Sequence, residues 1–145
     1  MKLEITHVLL IYGIAAGVFF IIDLFWIGVV ANGFYGKFIG GMLRDQVNWA
    51  AALIFYLMYI GGIVLFVLIP ALKNGSGVWH VSVMGGLLGL FAYSTFDLTA
   101  LALFKDWPVI VAVVDMVWGT LLTAGTAATT LWIMQHVLKR NLTVG

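Results

Sequence analysis

Residues 49–70 read WAAALIFYLMYIGGIVLFVLIP, twenty-two consecutive positions without one Asp, Glu, Lys or Arg. An α-helix rises about 1.5 Å per residue, so this run covers a hydrocarbon core of ~30 Å. Nothing in it alternates with a period of two, and it exceeds any ordinary strand in length. It is a membrane span by length and composition, and the rest of the chain repeats the pattern. Apolar runs also occupy residues 7–31, 78–104 and 108–138. The breaks between them carry helix-ending chemistry. Pro70 and the polar run 73–77 make one turn, and the 105–108 segment makes another that is too short to do anything but join antiparallel neighbours.

Composition agrees. Of 145 residues, 63% are hydrophobic and 9% charged. A soluble domain of this size has too much surface to hide that fraction, and an ordinary one is about a quarter charged. The expected fold is therefore all-α: a single domain over 1–145 made of four transmembrane helices. The run beginning at Val8 is longer than the ~7–15 residues of a signal-peptide core and contains Asp23, so it reads as a retained first span. A net charge of +1 offers no basic field for nucleic acid, and without cysteines there are no thiolate sites. The expected partners are membrane lipids.

The first loop, residues 32–48, has its own pattern. Phe34, Tyr35, Phe38, Ile39, Met42, Leu43 and Val47 recur at helical spacing with Lys37, Arg44 and Asp45 between them. This predicts a short interfacial helix lying on the bilayer. The competing reading is an irregular loop, because Gly36, Gly40 and Gly41 weaken a helix. Lys2, Lys73, Lys139 and Arg140 fall on one side of a four-span topology and Lys37, Arg44 and Lys105 on the other. That bias puts both termini in the cytoplasm. Small residues recur four apart at Gly13 and Gly17, at Gly85 and Gly89, and at Thr120, Ala124 and Ala128. Such rows allow close helix packing.

Three acids inside the apolar runs carry the functional argument. Asp23, Asp97 and Asp115 would each cost roughly 2.5–3.5 kcal/mol at a helix centre. With four spans, all three fall roughly 6–12 Å from the midplane on the outer side. Trp26 follows Asp23 by one turn, Trp118 follows Asp115, and Tyr93 precedes Asp97. Tyr56 reaches the same level, Asn48 and Trp49 stand at the outer mouth, and Arg44 is the nearest counter-charge in sequence. The expectation is a polar pocket built from these ten residues. Three clustered carboxylates cannot all remain ionised cheaply, which suits proton exchange, cation binding or acid–base chemistry. In the alternative reading each Asp accepts hydrogen bonds that merely fix helix packing. His7, His80 and His136 all fall near the opposite interface, but no two share a helix at i, i+3 or i+4. They are weak candidates for a metal, and no cofactor is expected.

The combined motifs are specific. Asp23-Leu-Phe-Trp26-Ile-Gly28, Leu43-Arg44-Asp45 with Asn48-Trp49-Ala50-Ala51, Tyr93-Ser-Thr-Phe-Asp97-Leu-Thr99 and Asp115-Met-Val-Trp118-Gly119-Thr120 resemble an uncharacterised family of bacterial inner-membrane proteins, domain-of-unknown-function family 2177. The resemblance covers nearly the whole chain. It implies a compact four-helix protein of the bacterial inner (plasma) membrane and supplies no activity. From the residues, three functions compete. The first is transport of a small ligand or cation, coupled to protons and requiring a homodimer, since four helices rarely enclose a full path. The second is a lipid-binding or lipid-modifying enzyme, and the third an accessory subunit of a membrane complex.

Overall fold

The computed structural model describes residues 3–138 and contains four long helical segments, each long and apolar enough to cross a membrane. They are α1 (Ile5–Met42), α2 (Trp49–Asn74), α3 (Val78–Leu103) and α4 (Val109–Leu138). Among the described residues there is no strand. Lys2, Lys139 and Arg140, which contribute to the charge bias, lie outside the described residues.

The helix ends follow from local chemistry. Asn48 opens α2, its Oδ1 accepting a hydrogen bond from the Ala51 amide at 3.2 Å, which satisfies one of the four unpaired donors of a helix N-terminus. Gly75 closes α2 in the left-handed conformation, φ 67°. The Ser76 amide then bonds the Ala71 carbonyl at 2.8 Å, the turn that glycine makes possible at a helix C-terminus. Pro108, in extended conformation, starts α4.

Two helices run further than their sequence signals suggest, and both contain a π-helical turn. In α2 the π turn spans Val64–Leu68, just before Pro70. Proline lacks an amide hydrogen and crowds the carbonyl four residues back. A widened turn there absorbs the defect, so the helix continues through Pro70 to Asn74. In α1 the π turn spans Ile27–Ala31 and leads directly into a helix over Asn32–Ile39 and a 3-10 turn over Gly40–Met42. The segment expected as a separate helix is therefore helical but joined end-on to the first span. The whole of α1 is 38 residues, about 57 Å long. Its tip borders the α3–α4 connection, with Met42, Phe104 and Trp107 lining a common hollow.

The tightest pair is α3 with α4, which run antiparallel; α1 packs on α4, and α2 closes the fourth side. The α3–α4 seam is made by small residues. A Cβ added to Gly85 would lie 3.0 Å from Ala127 Cβ, and one added to Gly89 would overlap the Gly119 carbonyl. By contrast, Gly13 and Gly17 face open space. The buried core is concentrated at one end of the bundle. It joins Ile11, Ala15 and Phe19 of α1, Ile60, Ile63 and Leu68 of α2, Val81 of α3 and Leu122, Ala127 and Leu131 of α4. On α2 every buried residue lies at or after Tyr59, whereas Leu53, Phe55 and Leu57 of its first half are about half exposed. The first half of α2 is thus the loosely packed part of the helix.

Candidate functional site

Beyond that core, toward the opposite end of the bundle, the three aspartates converge. Asp23 is 7% exposed and accepts two hydrogen bonds, from the Tyr56 hydroxyl at 3.1 Å and from Trp118 Nε1 at 3.4 Å. Trp118 is held in place by Trp26, whose ring stacks on it at 4.3 Å between centroids with 8° between planes. One aspartate thus ties α1 to α2 and α4 through three aromatic side chains. Such bonds are expected where a helix bundle must satisfy a buried acid without water.

Asp115 accepts a hydrogen bond from the hydroxyl of Tyr35, and its carboxyl lies within hydrogen-bonding reach of that of Asp97 across the α3–α4 seam. Asp97 is fully buried, and neither of its oxygens has a donor among the described residues. Trp107 Nε1 is the donor that approaches Asp97, standing just outside hydrogen-bond geometry. Two carboxyl groups in this arrangement are joined by a single proton when one is present, and they repel when both are ionised. Tyr93 sits between the two acid groups. Its ring covers Gly119 so closely that any Cβ there would overlap it, which explains why a glycine follows Trp118. One turn deeper, the Tyr59 hydroxyl meets Thr123 Oγ1 at 2.6 Å. Thr123 also donates to the Gly119 carbonyl at 2.8 Å.

Tyr35 was not among the expected pocket residues. In an unbroken α-helix the twelve residues from Asp23 to Tyr35 would turn it about 120° away from Asp23. One residue accommodated in the π turn takes back about 100°, leaving it ~20° from Asp23 on the same face. Direction does the rest. Long side chains on a helix lean toward its N-terminus, so Tyr35 reaches back down α1. Asp115, on the antiparallel α4, leans toward it. A π turn has no sequence signature strong enough to have predicted this, although the four-residue steps Asp23, Ile27, Ala31 and Tyr35 along the cavity wall are its trace.

Two cavities adjoin the acids. The first, about 270 Å³, is walled by Asp23, Trp26, Tyr35, Tyr56, Asp115 and Trp118 among others. The second, about 380 Å³, is lined by Phe55, Ala92, Tyr93, Phe96 and Asp115. They share Phe55, Tyr93 and Asp115. No Lys, Arg or His lines either cavity.

Of the ten residues expected to form the pocket, seven gather here: Asp23, Trp26, Tyr56, Tyr93, Asp97, Asp115 and Trp118. Three stand apart. Arg44 is exposed and lines neither cavity, Asn48 caps α2, and Trp49 is 66% exposed. The histidines are separated as well. His7 has a buried, unpartnered Nδ1, His80 is exposed, and His136 stacks on Trp132 at 5.0 Å. Among the described residues no three His, Asp or Glu side chains form a group that could hold a metal ion.

A family model described as "Predicted membrane protein (DUF2177)" matches residues 8–132. That stretch contains every one of the clustered residues. No curated protein and no solved structure matches the chain.

Proposed function

We propose, for a chain that belongs to the DUF2177 family of predicted membrane proteins, that the aspartate cluster binds a small cation inside the outer half of the bilayer and exchanges it for a proton. The observation that carries this reading is charge imbalance. Three carboxyl groups from α1, α3 and α4 converge, and no basic side chain lines the cavities beside them. A cation supplies the missing charge, and aromatic faces around it add attraction through their ring quadrupoles. Acids within spans are costly enough that they mark ion or proton pathways by default.

The roles divide by position. Asp115 lines both cavities and meets the ligand. Asp97 lies behind it, lines neither, and shares its proton. Asp23, held by Tyr56 and Trp118, keeps the aromatic wall in register. The other titratable groups facing this pair are Asp23 and Tyr35 on α1, Tyr56 on α2 and Tyr93 on α3. A bound cation favours the ionised pair and a proton favours its release, so affinity falls as pH falls. In this reading the protein is a multi-pass protein of the bacterial inner membrane with cytoplasmic termini. The tip of α1, residues 32–42, rests at the outer interface. A second copy completes the passage, because four helices rarely enclose an alternating path.

Counterflow of methylammonium against protons in proteoliposomes tests this. Wild-type protein is expected to release protons on ligand binding. Asp97→Asn and Asp115→Asn are expected to abolish the exchange, and Asp23→Asn to reduce it. Undiminished exchange in all three variants would sink the reading.

A further inference from the structure

The larger cavity indicates what kind of cation the site takes. Its wall is apolar: Phe55 on α2 faces Ala92 and Phe96 on α3, and Asp115 lies at the end. It exists because the first half of α2 packs loosely, reaching α1 through Tyr56, which donates to Asp23, and through the Leu57 carbonyl, which accepts from Tyr12. Phe55 is 48% exposed, Phe96 59%, and no residue of α2 before Tyr59 is buried. A gap between two helices in this half of the bundle opens sideways, toward lipid, rather than along the bundle axis. A ligand entering there leaves the acyl phase, passes two phenyl rings, and meets a carboxylate. Behind Asp115, outside the cavity wall, lies the buried Asp97.

We propose that the ligand is a lipophilic organic cation drawn from the outer leaflet through a lateral portal between α2 and α3, with its charged centre at Asp115 and its apolar body against Phe55, Ala92 and Phe96. The proposal rests on the cation-binding reading above and adds to it the ligand class and the route. The volume, about 380 Å³, falls within the range of sites for drug-sized molecules. Charge selects among amphiphiles. A phospholipid would bring its phosphate against three carboxyl groups with no Lys or Arg on the walls to receive it. A phosphate-free cation meets no such repulsion, and the aromatic walls favour a diffuse, weakly hydrated charge.

Two radiolabelled probes separate this proposal from the reading beneath it: tetraphenylphosphonium and methylammonium, each titrated against the full chain in lipid nanodiscs. Tetraphenylphosphonium is expected to bind at least 100-fold more tightly than methylammonium, and Asp115→Asn to weaken it more than 10-fold. Ala92→Trp, which fills the portal, should weaken it at least 10-fold while methylammonium binding changes less than 2-fold. Phe55→Ala, at a half-exposed side chain, should weaken it several-fold and covers the case that the tryptophan variant misfolds. Asp115-dependent binding of methylammonium alone would overturn the portal and leave the cation site standing. Equal loss of both probes in Ala92→Trp and Phe55→Ala would also overturn it. Binding of neither probe, or binding of both without dependence on Asp115, would overturn the two readings together. A stoichiometric phospholipid in native mass spectra, lost in Ala92→Trp, would overturn the ligand class in favour of a lipid.

Discussion

The two halves of this bundle are built on different principles. One half, the base, is filled by Phe19, Ile60, Ile63, Leu68, Leu122 and Leu131, all fully buried. The other, the acid half, holds the aspartates, most of the tyrosines, two stacked tryptophans and both cavities. The same helices serve both. On α2 the change occurs within one turn, between exposed Leu57 and buried Ile60. A close-packed base lets the acid half keep cavities and buried acids, features that cost stability wherever they stand. In a membrane the base is not held by the hydrophobic effect, because lipid is as apolar as the core; van der Waals fit and interhelical hydrogen bonds hold it.

That contrast can be broken by mutation. The largest effect is expected from Phe19→Ala in the base. Lipid solvates the unfolded helices, so the transfer term largely drops out, and the cavity left behind costs about 3 kcal/mol. Leu53→Ala, at a half-exposed position in the first half of α2, should cost no more than about 0.5 kcal/mol. Melting in mild detergent compares the two, and equal losses would erase the distinction between the halves. Next comes Gly89→Ala, whose methyl would overlap the Gly119 carbonyl at the α3–α4 seam. The strain should cost about 2 kcal/mol, whereas Gly13→Ala, which faces open space, should be neutral or better.

Smaller effects sharpen the picture at the boundary. Tyr59→Phe removes a buried hydroxyl that meets Thr123 at 2.6 Å; a loss of about 1 kcal/mol is expected in the same melting assay. In the acid half, Asp97→Asn should leave stability within about 1 kcal/mol, since the amide can donate to Asp115 and the repulsion within the pair disappears. Proton-linked exchange should nonetheless vanish. A variant that loses both together would make Asp97 a packing residue. The smallest effect is a coupling of about 0.5 kcal/mol between Tyr56→Phe and Trp118→Phe in a double-mutant cycle, because each removes one donor to Asp23.

Four spans were legible in the sequence because a predominantly apolar run of about twenty residues has one stable setting, and each run here is bounded by a turn or a polar segment. The antiparallel pairing of α3 and α4 followed from the brevity of their connection. The convergence of Asp23, Asp97 and Asp115 was legible as well. Depth along a helix is a count of residues, and helix count converts that count into a shared level. Sideways position is another matter. Arg44 was the nearest positive charge in sequence, yet it lies exposed beyond the tip of α1. Asn48 and Trp49 share the acids' end of the bundle but sit at the start of α2, where the helix stands free.

What the sequence by itself determined, then, is the number of helices, where three of the four begin and end to within a few residues, and the level of the acids, all of which depend on local composition and length. Tertiary structure alone decided the rotation of each helix. The π turn at Ile27–Ala31 swings Tyr35 onto Asp115; the one at Val64–Leu68 carries α2 past Pro70. Each widens the helix by a single residue at little local cost. Such a shift leaves no mark on hydropathy, and packing against neighbouring helices selects it.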